Sequence, residues 1–88
     1  MDSLIVIKDC LIHMIDNCEK DGTIHETMRQ LRFYFDLFCE NDYAYKGVEL
    51  CNRLILSYEY KNGEMPTFLY NRIVELRDRF FICQQRGE

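Results

Sequence analysis

Two groups of residues in this chain have types and spacing that invite a chemical reading, and they overlap. The stretch Asn17-Cys18-Glu19-Lys20-Asp21-Gly22-Thr23-Ile24-His25-Glu26-Thr27-Met28 has the outline of a twelve-residue calcium loop, with Asp21 at position 5, Gly22 at 6 and Ile24 at 8. Such a loop closes on a bidentate Glu at position 12, but Met28 stands there, and position 1 is Asn17 rather than Asp. A loop centred on Asn62-Gly63 fails at the same two ends, with Tyr58 and Leu69. The second candidate is nucleophilic: Cys18 and His25 can approach across the first turn of a helix. A thiol on an apolar stripe is inert, however, and nothing in the spacing requires the pair to meet. His13 falls on the polar side of its segment beside Asp9, Asp16 and Asn17, and reads as solvated. No Gly-rich phosphate loop occurs. The expectation is no catalytic residue, no metal and no cofactor.

The five cysteines, Cys10, Cys18, Cys39, Cys51 and Cys83, include no C-x-x-C pair. On one helix Cys10 and Cys18 would lie about 12 Å apart, beyond the reach of a disulfide. They read as buried, reduced thiols of a cytoplasmic protein.

Arginines offer a different chemistry. Arg29 and Arg32 are three apart, while Arg72, Arg77, Arg79 and Arg86 gather near the C-terminus with Tyr70. Guanidinium groups on one face, with an aromatic ring nearby, suit a phosphate or a nucleotide. Arg29, Arg32, Arg72 and Arg77 are therefore the candidate residues for a small anionic ligand. The alternative is a charged solvated face interleaved with Asp36, Glu75 and Asp78.

The elements that must position these residues follow from composition and period. Eighty-eight residues make one domain, residues 1–88, with an apolar fraction of 48% that is globular rather than disordered. A net charge of −4 disfavours nucleic acid as a partner. No apolar run is long enough for a membrane span, and the opening MDSLIVIKDC has no basic n-region or small-residue cleavage site.

Gly22, Gly63, Pro66 and their polar neighbours divide the chain into four segments with helical period. The first runs from Ser3 as N-cap to Glu19 and stops at Lys20-Asp21-Gly22. The second starts at Thr23, where T-x-x-E has the form of a capping box, and ends near Glu40. The third is capped by Asn41 or Asp42 and runs to Tyr60, with Lys61-Asn62-Gly63 as its stop. The fourth starts at Pro66-Thr67 and runs to Gln85. Strand competes at Leu4–Ile7 and Phe33–Phe38, but neither alternates strictly. Short connections favour antiparallel neighbours, so the expected fold is all-α: a four-helix bundle made of two antiparallel helical hairpins. A shift of 41 residues pairs Lys20-Asp21-Gly22 with Lys61-Asn62-Gly63 and Cys10 with Cys51, which two similar amphipathic hairpins also produce by chance.

Each segment carries apolar residues away from its main stripe. Phe33 and Leu37 lie across their helix from Phe35 and Phe38, Tyr45, Leu56 and Tyr60 leave the third stripe, and Tyr70, Val74 and Phe81 form a second line on the fourth. A small bundle cannot cover all of these, and clustered exposed aromatics mark partner surfaces. Phe33, Leu37, Tyr45, Tyr60, Tyr70 and Phe81 are accordingly the candidate partner-binding residues. The leading functional expectation is a non-enzymatic protein-interaction module, an inhibitor, adaptor or scaffold that self-associates or binds another protein. A protein sequestering an anionic ligand is second, and a small enzyme last.

Overall fold

The computed structural model describes residues 2–17 and 21–86. All their regular structure is helical: α1 (Asp2–Asp16), α2 (Asp21–Phe33), α3 (Phe35–Glu40), α4 (Ala44–Asn62) and α5 (Thr67–Arg86). Five helices replace the expected four, and they do not pack as two hairpins. The antiparallel pair α4–α5 is present, but α1 lies against α4 as well as α2, and α3 packs on both α4 and α5.

The extra helix arises at Tyr34. The stripe predicts a second segment running unbroken to Glu40, yet Tyr34 leaves helical geometry (φ −93°, ψ 6°) and Phe35 begins a new helix. Those dihedrals belong to the sparsely allowed bridge region, and neither Gly nor Pro is present to announce them. Ile24, Met28, Leu31, Phe35 and Phe38 keep one phase at about 100° per residue straight through the break. The stripe therefore holds no sign of it. Three aromatics in a row, Phe33-Tyr34-Phe35, propagate a helix poorly. In return Phe35 and Phe38 bring their ring centroids to 4.6 Å and 6.1 Å from that of Phe80 on α5, separations at which rings attract.

Helix ends also depart from expectation. Thr23 lies inside α2, and the Glu26 carboxylate accepts from Gln30 (3.0 Å) and Arg29 rather than closing a capping box. Of the expected stop, Lys20 falls outside the described residues, as does Glu19, while Asp21 and Gly22 are helical. Neither Asn41 nor Asp42 caps α4. Asn41 closes α3 instead, its Nδ2 donating to the Leu37 carbonyl (2.7 Å), and Asp42 turns the chain at φ 56°. Tyr43 occupies the N-cap of α4 with no side-chain bond. At the other end Gly63 takes φ 85° and donates to the Glu59 carbonyl, a left-handed stop that suits glycine. The Pro66 carbonyl accepts the first amides of α5, from Leu69 and Tyr70.

The C-terminus of α1 is finished by α4. Arg53, Ser57 and Lys61, four residues apart on one face, all reach it. Ser57 donates to the Ile15 carbonyl (3.0 Å), Lys61 to the Asp16 carbonyl, and Arg53 forks onto the Asp16 carboxylate at 2.9 Å and 2.8 Å. Orphan carbonyls at a helix end need donors, and positive charge suits the negative pole of the dipole.

The core draws on every helix: Leu4, Leu11 and Ile15; Ile24, Met28 and Leu31; Phe38; Leu50, Cys51, Leu54 and Ile55; Leu69, Ile73, Leu76 and Phe80. Met65 in the α4–α5 connection closes one end. The body measures 37 × 24 × 18 Å. A thickness of 18 Å admits about two layers of helix at the usual 8–10 Å spacing, so each helix keeps one face toward solvent.

Candidate functional site

Eleven large apolar side chains among the described residues are exposed although the core is filled without them. All six residues singled out from the sequence are in this set: Phe33, Leu37, Tyr45, Tyr60, Tyr70 and Phe81. The structure brings four of them onto one hairpin and leaves two elsewhere. Arg77 of α5 donates to Asn52 Oδ1 of α4 at 2.6 Å, which fixes the register of the antiparallel pair on its outer side. On α4, Tyr45, Leu56 and Tyr60 lie within about 60° of one another around the helix, on the side bearing Asn52. On α5, Tyr70, Val74 and Phe81 lie within about 40°, on the side bearing Arg77. In this register Tyr45 and Phe81 lie toward one end of the hairpin, Leu56 and Val74 near its middle, and Tyr60 and Tyr70 toward the connecting loop.

Tyr60 is 91% exposed and Leu56 68% exposed. Tyr45 is held edge-on to Tyr43 (5.3 Å between centroids), with Lys46 5.9 Å from its ring centre. An open groove of about 380 Å³ borders this face, where Ile12 of α1 meets Lys46, Glu49, Arg53 and Leu56 of α4. Leu56 and Ile12 therefore extend the apolar surface toward α1. Leu56 lies off the apolar stripe of α4, outside the six residues expected from spacing. Its exposure sets it beside the tyrosines. Phe33 (74% exposed) and Leu37 belong to α2 and α3 on either side of the Tyr34 break. Among the described residues the Phe33 ring meets one other, that of Tyr34, edge-on at 4.9 Å.

The arginines separate differently. Arg29, Arg32 and Arg72 line one cleft of about 460 Å³ between α2 and α5, together with His25, Glu26 and Met28. It continues into a smaller recess lined by Arg32, Arg72, Glu75, Leu76 and Arg79. Arg77 is not part of it, being committed to Asn52 on the hairpin face, and Arg79 takes its place with its guanidinium 4.7 Å from the Phe35 ring centre. Arg29 pairs with Glu26, whose carboxyl is held below the usual range by the Gln30 amide and by Arg29. Arg32 and Arg72 form no ion pair with any described residue.

The nucleophile and metal candidates resolve plainly. Residues 21–28 of the calcium-like stretch are helical, and a helix cannot wrap a cation as a loop does. Cys18 lies outside the described residues. Among the described residues no group of three or more His, Cys, Asp or Glu side chains is placed to share a metal ion. His13 is exposed, hydrogen-bonded through its carbonyl to Asn17 Nδ2 at 2.8 Å. Cys51 is buried and Cys10 exposed, with Cys39 and Cys83 between. Burial pushes the Cys51 thiol up to about 12, and burial with the neighbouring Cys83 pushes Cys39 to about 12. Neither supplies a thiolate at neutral pH.

No described helix is long and apolar enough to cross a membrane. No protein-family model, curated protein or solved structure matches the chain. What the molecule itself defines is a small all-α domain with an aromatic outer surface and, among the described residues, few ion pairs.

Proposed function

We propose that the protein is a non-enzymatic interaction module that docks a second copy of itself, or another protein, through the outer face of the α4–α5 hairpin. One observation carries this reading: a buried core drawn from every helix coexists with exposed apolar side chains, Tyr45, Leu56, Tyr60, Tyr70 and Phe81, on the two helices of one hairpin. Exposed apolar area is costly in water, and burying it is worth about 25 cal/mol per Å². The Arg77–Asn52 bond at the centre gives such a face a polar fixed point, in keeping with the composition of docking surfaces. Occlusion or scaffolding, rather than turnover, is the mode of action that this surface supports. Cysteine usage supports a reducing compartment such as the cytoplasm.

The test is light scattering after size exclusion across a concentration series, on the native chain and on Leu56→Asp and Phe81→Asp. Self-association gives a mass above the monomer that either substitution returns to monomer. A monomer at every concentration that also captures no host protein through this face, native and substituted chains behaving alike, overturns the proposal.

A further inference from the structure

We propose a second site, separate from the hairpin face: the cleft between α2 and α5 binds a small phosphate-bearing anion through Arg32 and Arg72. Three observations support it. The first is charge. Arg29, Arg32, Arg72 and Arg79 gather with His25 along one continuous depression, against only Glu26 and Glu75, in a chain whose net charge is −4. The second is the lack of counter-charge on two of them. Arg29 is occupied by Glu26 and Arg79 rests on Phe35. Arg32 of α2 and Arg72 of α5 line both parts of the cleft and pair with no described carboxylate. Two like charges sharing a cleft repel, and an entering dianion removes that repulsion while bonding to both.

The third is shape. A volume of about 460 Å³ lies within the range of small-ligand sites. Guanidinium forks contributed by two helices match the oxygens of a phosphate, which they bond in pairs. Among the described lining residues the one ring is the small imidazole of His25, with no Phe, Tyr or Trp beside it, so a nucleobase meets no extended stacking platform. The recognised group is the phosphate, whether it comes as inorganic diphosphate or at the end of a nucleotide. Arg29 and His25 also line the cleft and offer further donors.

Pyrophosphate is the probe. It is titrated by calorimetry and by thermal unfolding at constant ionic strength, with chloride as the matched control. The native chain is expected to bind at submillimolar concentration and to unfold at a higher temperature with pyrophosphate, since a ligand held only by the folded state stabilises it. Arg32→Gln and Arg72→Gln should each weaken binding at least tenfold. Arg72→Lys, which keeps the charge but not the fork, should fall between Gln and native. Arg77→Gln should bind as the native chain does. Both cleft arginines are exposed, and circular dichroism confirms the fold of each variant. Adenosine diphosphate should bind no more than a fewfold tighter than pyrophosphate. The proposal is overturned if pyrophosphate has no effect beyond chloride at 10 mM (on the order of a hundred times the expected dissociation constant), if the cleft and Arg77 variants behave alike, or if only the nucleotide binds.

Discussion

The ring of Phe80 lies flat against the backbone of Gly47: a Cβ built on that glycine would stand 2.3 Å from Phe80 Cδ1 and 2.5 Å from Cγ. Glycine inside a helix costs about 1 kcal/mol relative to alanine, so its place in the first turn of α4 needs a reason. The approach of the ring is that reason. Phe80 cannot retreat, because it is itself buried between Phe35 and Phe38. Gly47→Ala is expected to destabilise by about 2 kcal/mol or more despite its better helix propensity. Denaturant unfolding checks this, and the double variant with Phe80→Leu should recover part of the loss. Additive losses would show that the two residues are not in contact.

That pair also marks where sequence reading stops. The stripes on α1, α4 and α5 were legible because 3.6-residue periodicity is a local property, and residues such as Leu11, Leu54, Ile73 and Leu76 are buried as their spacing implies. The Gly63 stop was legible because a left-handed turn restricts residue type. Tyr34 was not, since the break preserves the phase of the stripe and uses no special residue. Gly47 has the residue type of a punctuator; only the tertiary approach of Phe80 explains it. The donors at the end of α1 come from 37 to 45 residues away, and no local pattern encodes them. In the arginine set, Arg77 and Arg79 are two residues apart, yet point about 160° apart around the helix, so which one joins the cleft depends on where α2 packs.

The Asp16–Arg53 pair predicts an acid-sensitive contribution. Its hydrogen bonds hold the Asp16 carboxyl below its ordinary 3.8. A carboxyl with a depressed folded value stabilises the fold above its unfolded value, and the contribution disappears as pH falls through the lowered one. The pair is largely exposed, so the effect is at most about 1 kcal/mol. Unfolding midpoints of the native chain and Arg53→Gln should differ at pH 7 and converge as the pH falls below the ordinary 3.8 and through the lowered value. A difference that persists at low pH would assign the effect to packing of the Arg53 stem instead.

Thiol chemistry should divide the cysteines. Cys10 is exposed and should react with Ellman's reagent in the folded protein at neutral pH, while Cys51 reacts only on unfolding. Cys51 keeps its proton up to about 12 in the fold, against an ordinary thiol value of 9.0. The unfolded chain therefore loses that proton first as pH rises. The stabilisation is complete below about 9 and declines from there toward 12, by about 1.4 kcal/mol per pH unit. Cys51→Ala should show a shallower alkaline decline than the native chain. Equal slopes would mean that the thiol does not contribute to it.

Leu54 and Leu56 stand two residues apart on α4 and should give opposite results. Leu54 is fully enclosed at 0% exposure and Leu56 is 68% exposed. Leu54→Ala removes core contacts and should cost about 2–5 kcal/mol. Leu56→Ala removes nothing the monomer uses and should change its stability by less than about 0.5 kcal/mol. If Leu56 belongs to a docking face, its loss appears elsewhere, as a concentration-dependent fall in melting temperature or a faster dissociation of the complex. Denaturation at two protein concentrations an order of magnitude apart separates these effects. A Leu56→Ala variant as unstable as Leu54→Ala at high dilution would place Leu56 in the core of the monomer. The hairpin face would then lose its middle, leaving Tyr45 with Phe81 and Tyr60 with Tyr70 as separate pairs at its two ends.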